Sequence, residues 1–357
     1  MLRINQVIET SKDVIKNGCL PNGAIVAANS ASSDYPASAK HYFYVWIRDA
    51  SFVCMAADIL DMSGLQEDFF NWCLQRAEGF SQNGLFFEKY YVNGPRALGR
   101  FQPDQTGILL VALWHHYKDH TEKALEFEDL ILKASKGICR KWDRDHFCIM
   151  TNDLWEERLT FPDLKDNFTY SLASCIGGLE CAYKIIKEDF CLSTAQEMRD
   201  RLEMHFVNNS FARSYGNLID ENIDASMLGL IYPFGIYQIN DHRIISTVQE
   251  IENKLVIDGG VHRYELDQYD GWMYEEMPRN KGGGAWPLLN FWLAIYYSLK
   301  GEKNIARNYY LWVLRHLRNR EGYIPEQIFN NEHQISVSPL LWSHAMFIIA
   351  SRHLGYI

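Results

Sequence analysis

Two adjacent glutamates follow a tryptophan in the segment Thr151-Asn152-Asp153-Leu154-Trp155-Glu156-Glu157-Arg158. Such a pair is often no more than a solvated helix start. A carboxyl packed beside an indole behaves differently: desolvation disfavours its ionised form and raises its pKa, as a general acid at neutral pH requires. A neighbouring carboxylate repels it and raises it further. A second carboxylate, Glu326, stands in Gly322-Tyr323-Ile324-Pro325-Glu326-Gln327-Ile328. Alone it reads as a surface residue in a loop. Three further clusters accompany these. In Tyr44-Val45-Trp46-Ile47-Arg48-Asp49 the Arg-Asp pair is either a surface ion pair of little energetic value or a fork-shaped donor and a carboxylate that together grip adjacent hydroxyls. In Gly99-Arg100-Phe101-Gln102-Pro103-Asp104, Asp104 is either a helix N-cap or a carboxylate aimed into a pocket, with Gln102 alongside. In Gly259 to Tyr269, Arg263-Tyr264 precedes Gly282-Gly283-Gly284-Ala285-Trp286. No Lys-Ser or Lys-Thr follows the three glycines, so they are not a phosphate loop. They read as tight backbone that places Trp286.

The elements that would position these clusters are helical. Apolar residues recur at three- and four-residue spacing and predict about twelve helices. These fall at 2–17, 46–62, 65–81, 103–119, 123–141, 166–187, 192–207, 223–231, 240–254, 284–300, 303–319 and 337–354. Ser193-Thr194-Ala195-Gln196 supplies a hydroxyl cap for one start, and Gly301 follows the end of another. Short turns such as Met62-Ser63-Gly64 join neighbours into αα-hairpins. Between hairpins lie long segments rich in Gly, Pro, Asn and aromatics, at 18–45, 82–102, 142–165, 208–222, 255–283 and 320–336. They are too long for plain connections, and every candidate cluster lies in or beside one of them. Six hairpins with elaborated loops predict an all-α (α/α)6 toroid, a double helical barrel whose loops form the rim that carries the site. No linker, low-complexity tract or clear repeat interrupts the 357 residues, so a single catalytic domain over 1–357 is expected.

Composition narrows the class. Hydrophobic residues make up 47%, enough for a large core, and aromatics make up 14%, which serves both a core and flat platforms for sugar rings. The formal net charge is −10 with no basic run, so a nucleic-acid partner is not expected. The eight Cys form no C-x-x-C pair and no metal-finger spacing. They read as free thiols of a reduced, cytoplasmic protein. No apolar stretch of 18 residues lacks a charge, so no membrane span is expected, and the first residues are too polar for a signal peptide. A metal or cofactor is not expected, and a monomer or weak homo-oligomer is.

Together the clusters resemble the glucoamylases and related enzymes of glycoside hydrolase family 15. The resemblance runs from Gly23-Ala24-Ile25-Val26-Ala27 to Trp342-Ser343-His344-Ala345 and so covers most of the chain. Trp46-Ile47-Arg48-Asp49 looks like the family's Trp-x-Arg-Asp, which implies a grip on the 4- and 6-hydroxyls of a terminal glucose. Asp153-Leu154-Trp155-Glu156-Glu157 matches its general-acid segment. This implies Glu156 as the acid, with Leu154, Trp155 and Glu157 lining substrate subsites. Arg263-Tyr264 and Trp286 are similar to its Arg-Tyr and Gly-x-x-Trp, and imply binding of the terminal sugar. Pro325-Glu326-Gln327 looks like the segment of its general base, which implies Glu326 in that role. Two departures stand out: Leu98 occupies a position where fungal members carry Trp, and Tyr269 through Arg279 looks inserted.

The function implied is an inverting, exo-acting glycoside hydrolase that releases β-D-glucose from α-glucosides such as maltose, isomaltose, trehalose or soluble glucan, with an oligosaccharide as its only partner. Two alternatives share the architecture. One is a sugar epimerase acting through histidines, for which His262 and His344 are the candidates. The other is a non-catalytic, sugar-binding regulatory barrel.

Overall fold

Helices of two kinds alternate along the chain. The computed structural model describes residues 4–271, 283–318, 321–330, 334 and 336–357. Helices α1 (Ile4–Gly18), α3 (Leu65–Gln75), α6 (Glu128–Lys141), α8 (Asp189–Glu203), α9 (His242–Leu255) and α11 (Lys303–His316) bury one side only. In α9 that stripe is Ile244, Thr247, Val248, Ile251 and Leu255, the spacing of a surface helix with one apolar face. Helices α2 (Ile47–Ile59), α5 (Pro103–Tyr117), α7 (Thr169–Ile186), α10 (Pro287–Leu299) and α12 (Leu341–His353) are buried nearly all round. Every residue of α12 from Leu341 to Ser351 is buried, as in a helix enclosed by other helices. A one-turn helix, α4 (Phe80–Asn83), follows α3.

The buried helices form a closed ring. α2 packs on α5 and α5 on α7; α7 and α10 both pack on the 3-10 helix Ala225–Leu230; α10 packs on α12, and α12 returns to α2. The one-sided helices lie outside this ring. This is the expected (α/α)6 toroid. Glycine lets α5 and α7 approach closely: a Cβ on Gly107 would lie 2.4 Å from the Ser174 carbonyl oxygen, and one on Gly178 would lie 2.5 Å from that of Gly107.

The structure corrects several expected boundaries. The helix expected over 223–231 is instead the 3-10 helix, though it keeps its place in the ring. Helix α8 begins at Asp189 with Glu188 as its cap residue, so the expected hydroxyl cap at Ser193-Thr194 lies inside the helix. Helix α3 stops at Gln75, well short of 81. The long loops contain short antiparallel strand pairs that periodicity did not show. The longest is β1 (Phe87–Tyr90) with β2 (Arg96–Phe101), in which Lys89 opposes Leu98. Residues 272–279 of the apparent insertion lie outside the described residues.

The inner helices all start at one rim. Trp46, Gln102, Phe168, Asp224, Trp286 and Leu340 are the residues just before them. Pro103 and Pro287 occupy first helical positions, where a missing N–H costs nothing. The positive ends of these helix dipoles therefore face the loops that carry the candidate carboxylates.

Candidate active site

A cavity of about 270 Å³ opens at this rim. Of the residues expected to bind or cut substrate, Trp46, Arg48, Asp49, Leu154, Trp155, Glu156, Glu157, Arg263, Trp286 and Glu326 line it. Gln102 and Asp104 do not, which corrects their expected substrate contacts. Gln102 is fully buried and donates from Nε2 to the Asp153 carbonyl, so it braces the acid segment from behind. Asp104 is fully buried in the first turn of α5 and accepts from Arg48 Nη1 at 3.2 Å. It is neither an N-cap nor a wall of the cavity.

The two adjacent glutamates face different partners. Glu156 has a φ of +65°, a left-handed conformation that is costly for a residue with a Cβ. Its N–H closes a turn onto the Asp153 carbonyl at 3.1 Å, while Asp153 Oδ1 accepts from the N–H groups of Glu157 and Arg158. Arg213 fixes Asp153 in turn, with Nη2 2.5 Å from Oδ2. Glu157 is held by Arg263 Nη2 at 2.7 Å and by the Tyr264 hydroxyl. Glu156 instead meets α2: the Trp46 indole Nε1 donates to Oε1 at 2.5 Å, and Arg48 Nη2 stands 3.6 Å from the same oxygen.

Burial pushes the Glu156 pKa up to about 8; the Glu88 carboxyl raises it further, while Arg48 and Lys89 oppose the rise. The raised acid expected from sequence is therefore present, but through other neighbours. The indole on the carboxyl is that of Trp46, while Trp155 donates to Asp224 at 3.0 Å. The like charge is Glu88 from β1, while Glu157 is neutralised by Arg263.

Glu326 is 3% exposed and follows Ile324, whose N–H donates to His344 Nε2 at 2.9 Å. The Tyr42 hydroxyl donates to its Oε1 at 3.0 Å and lies 3.1 Å from the Tyr269 hydroxyl. Burial raises the Glu326 pKa, and the Tyr42 hydrogen bond and the Arg263 charge act against it. Asp49 is pushed up to about 6 by burial, with Arg48 opposing. Asp49 Oδ1 stands 3.5 Å from Arg48 Nε, and among the described residues Trp286 Nε1 meets no hydrogen-bond acceptor. Arg263 is 2% exposed, forks onto Asp267 with both bonds at 2.7 Å, and is surrounded by the rings of Trp155, Tyr264, Tyr269 and Trp286.

Sequence reading missed Tyr42, Lys89, Tyr269 and Trp342 on the wall, and Glu88, Arg213, Asp224 and Asp267 behind it. Tyr42 lies two residues before the quoted Tyr44 cluster, within reach of a wider window, and Asp267 lies inside the quoted Gly259 to Tyr269 segment, four residues after Arg263. Glu88 and Arg213 gave no local signal. The histidines of the epimerase alternative stand elsewhere. His344 is buried: its Nε2 accepts from Ile324 and its Nδ1 pairs with Ser11 Oγ at 2.8 Å. His262 does not line the cavity.

This ring of helices around a cavity walled by paired carboxylates is the architecture of a sugar-cleaving class. A family model described as Glycosyl hydrolases family 15 matches residues 7–352, and the chain belongs to that family. It is 30% identical to an uncharacterized glycosyl hydrolase of Methanocaldococcus jannaschii, covering 93% of this chain and 53% of that one. It is 22% identical to an isomaltose glucohydrolase of Kribbella flavida, covering 94% and 91% respectively. Among solved structures it is similar to one described as a wild-type glycosidase, with a TM-score of 0.78 and 22% identity over 99% of this chain and 98% of that one. The chain spans about half the length of several other curated relatives. Among the described residues no helix is long and apolar enough to cross a membrane.

Proposed function

We propose that the protein is an inverting, exo-acting glycosidase that releases β-D-glucose from the non-reducing end of short α-glucosides. The observation that carries this reading is the unequal treatment of two carboxyls on one cavity wall. Glu156 is raised to about 8 by burial and Glu88, so it carries a proton at neutral pH. Burial raises the Glu326 pKa too, but a hydrogen bond from Tyr42 and the field of Arg263 oppose the rise and favour its ionised form, where Glu156 has the Glu88 charge added to its burial. A protonated carboxyl and a carboxylate serve single displacement as acid and base, and the same pair serves double displacement, so the anomer of the fresh product decides between them. Glu156 donates its proton to the glycosidic oxygen. Glu326 takes a proton from a water that attacks the anomeric carbon from the opposite face. Arg48 and Asp49 hold the terminal hydroxyls, and Trp155, Glu157, Arg263 and Trp286 hold the rest of the first ring.

The cavity is at the small end of the range for ligand sites, which favours one ring at depth and a short remainder at the mouth. Together with the similarity to an isomaltose glucohydrolase along nearly its whole length, this makes an isomaltose- or maltose-type oligosaccharide the preferred substrate. All eight cysteines are unpaired, which fits a reducing, cytoplasmic setting.

Glu156→Gln and Glu326→Gln are each expected to remove most hydrolysis of a panel of maltose, isomaltose, trehalose and soluble starch. Proton NMR of fresh product should show the β-anomer first. Initial α-anomer would overturn the inverting assignment, and full activity in either variant would overturn the roles.

A further inference from the structure

A buried carboxylate that touches no substrate stands behind the proposed proton donor. Glu88 is 2% exposed, lies on β1 and does not line the cavity. Its Oε2 accepts from Asn152 Nδ2 at 3.0 Å, and Asn152 belongs to the segment that carries Glu156. Its carbonyl accepts from Gln105 Nε2 at 2.8 Å, and Gln105 Oε1 accepts the Arg48 N–H at 2.7 Å. One hydrogen-bonded chain therefore ties Glu88 to both elements that hold Glu156. The next residue, Lys89, lies over the Trp46 ring, 4.9 Å from its centroid, and that indole is the donor to Glu156 Oε1.

The hydrogen bonds also place the proton. Trp46 and Arg48 both approach Glu156 Oε1, which makes that oxygen an acceptor and leaves Oε2 to carry the hydrogen. Asn152 donates to Glu88, which makes Glu88 an acceptor as well. The Glu88 carboxylate stands close enough to Glu156 for its charge to favour the protonated form of that acid.

We propose that Glu88 is a positioning residue for the proton donor: through Asn152 and Gln105 it braces the two elements that hold Glu156, and the charge of its enclosed carboxylate keeps Glu156 protonated between turnovers. The inference rests on Glu156 being the proton donor. Proton balance is simple. Glu156 gives its proton to the leaving oxygen and becomes a carboxylate, which Trp46 and Arg48 stabilise. Repulsion from Glu88 then draws a proton back from solvent. The other charged or titratable groups facing Glu156 are Lys89 from β1, Arg48 from α2, Lys40 and Tyr42 from the loop before α2, and Tyr269 from the loop after Arg263.

The test is the pH profile of kcat/KM for Glu88→Gln, with Glu88→Asp as a milder variant should the first fold poorly. Glutamine keeps the shape and removes the charge. The basic limb should move to lower pH by about one unit or more in Glu88→Gln and by less in Glu88→Asp. A basic limb that stays in place while activity falls evenly at every pH overturns the proposal and leaves Glu88 a purely structural residue. Retained activity in Glu156→Gln would instead remove the donor role on which the inference rests, and the two failures are thus distinct.

Discussion

Replacing the proposed proton donor should make the protein more stable, and increasingly so as pH rises. Glu156 has its folded-state pKa raised from 4.5 to about 8, chiefly by burial and then by Glu88. A raised acid holds in the fold a proton that the unfolded chain releases. The native state is therefore favoured below pH 4.5, and it loses that advantage as pH climbs toward 8. Linkage puts the cost at about 1 kcal/mol at pH 5, about 3 kcal/mol at pH 7 and about 4 kcal/mol at pH 8. Glu156→Gln removes the titration while keeping a side chain of the same shape, whose oxygen still accepts from Trp46. For 357 residues the entropy of unfolding is on the order of 0.75 kcal/mol per kelvin, so the variant's Tm advantage should grow by about 4 to 5 °C between pH 5 and pH 8. The assay is differential scanning fluorimetry of both proteins across that range in one buffer series. The decisive quantity is the trend in the difference, because a constant offset from lost packing would not depend on pH. A difference that stays flat, or that shrinks toward alkaline pH, would refute the account of Glu156 as a buried, proton-holding carboxyl.

Trp46→Phe removes the donor to Glu156 Oε1 at 2.5 Å, a bond that favours the ionised acid. Its loss should shift the basic limb of the pH–rate profile upward by about one unit, opposite in sign to Glu88→Gln, as read from kcat/KM. Gly107→Ala forces a Cβ to 2.4 Å from the Ser174 carbonyl and should cost about 1–3 kcal/mol in denaturant unfolding as α5 and α7 separate. His344 is pushed down to about 3 by burial. A base depressed in the fold costs nothing above pH 6.5 and loses stability as pH falls from there toward 3, at up to about 1.4 kcal/mol per pH unit. His344→Gln should flatten the acid side of the urea-midpoint profile, and an unchanged slope would count against that burial.

The ring of helices was legible because burial periodicity survives in sequence. The continuous apolar run of α10 and the single stripe of α9 already separate inner from outer helices. Periodicity reports which face is covered but not the hydrogen-bond pattern beneath it, so the sixth inner position read as an ordinary helix where the backbone is 3-10. The hydroxyls at Ser193-Thr194 resembled a cap, but tertiary packing starts α8 a turn earlier. At the site, residue types in order marked ten residues of the wall, while Gln102 and Asp104 stand behind it. The environment of the acid was not legible, because its neighbours come from afar: Trp46 is 110 residues from Glu156, and Glu88 comes from a hairpin with no distinctive pattern. Local sequence put Trp155 and Glu157 in those roles instead. A left-handed turn at Glu156 sends the two glutamates to different partners, and glutamate carries no propensity for such a turn.

That turn has a consequence for the protein's history. A residue with a Cβ in the left-handed region costs about 1–2 kcal/mol, and glycine or asparagine would relieve much of it. The buried carboxyl adds its own cost at neutral pH. Mutational drift at position 156 therefore runs downhill, away from glutamate, whenever turnover ceases to matter. A barrel that had become a mere sugar-binding scaffold would shed this residue early and gain stability by doing so. Glutamate at this position thus carries a stability cost that the proposed proton-donor role would offset.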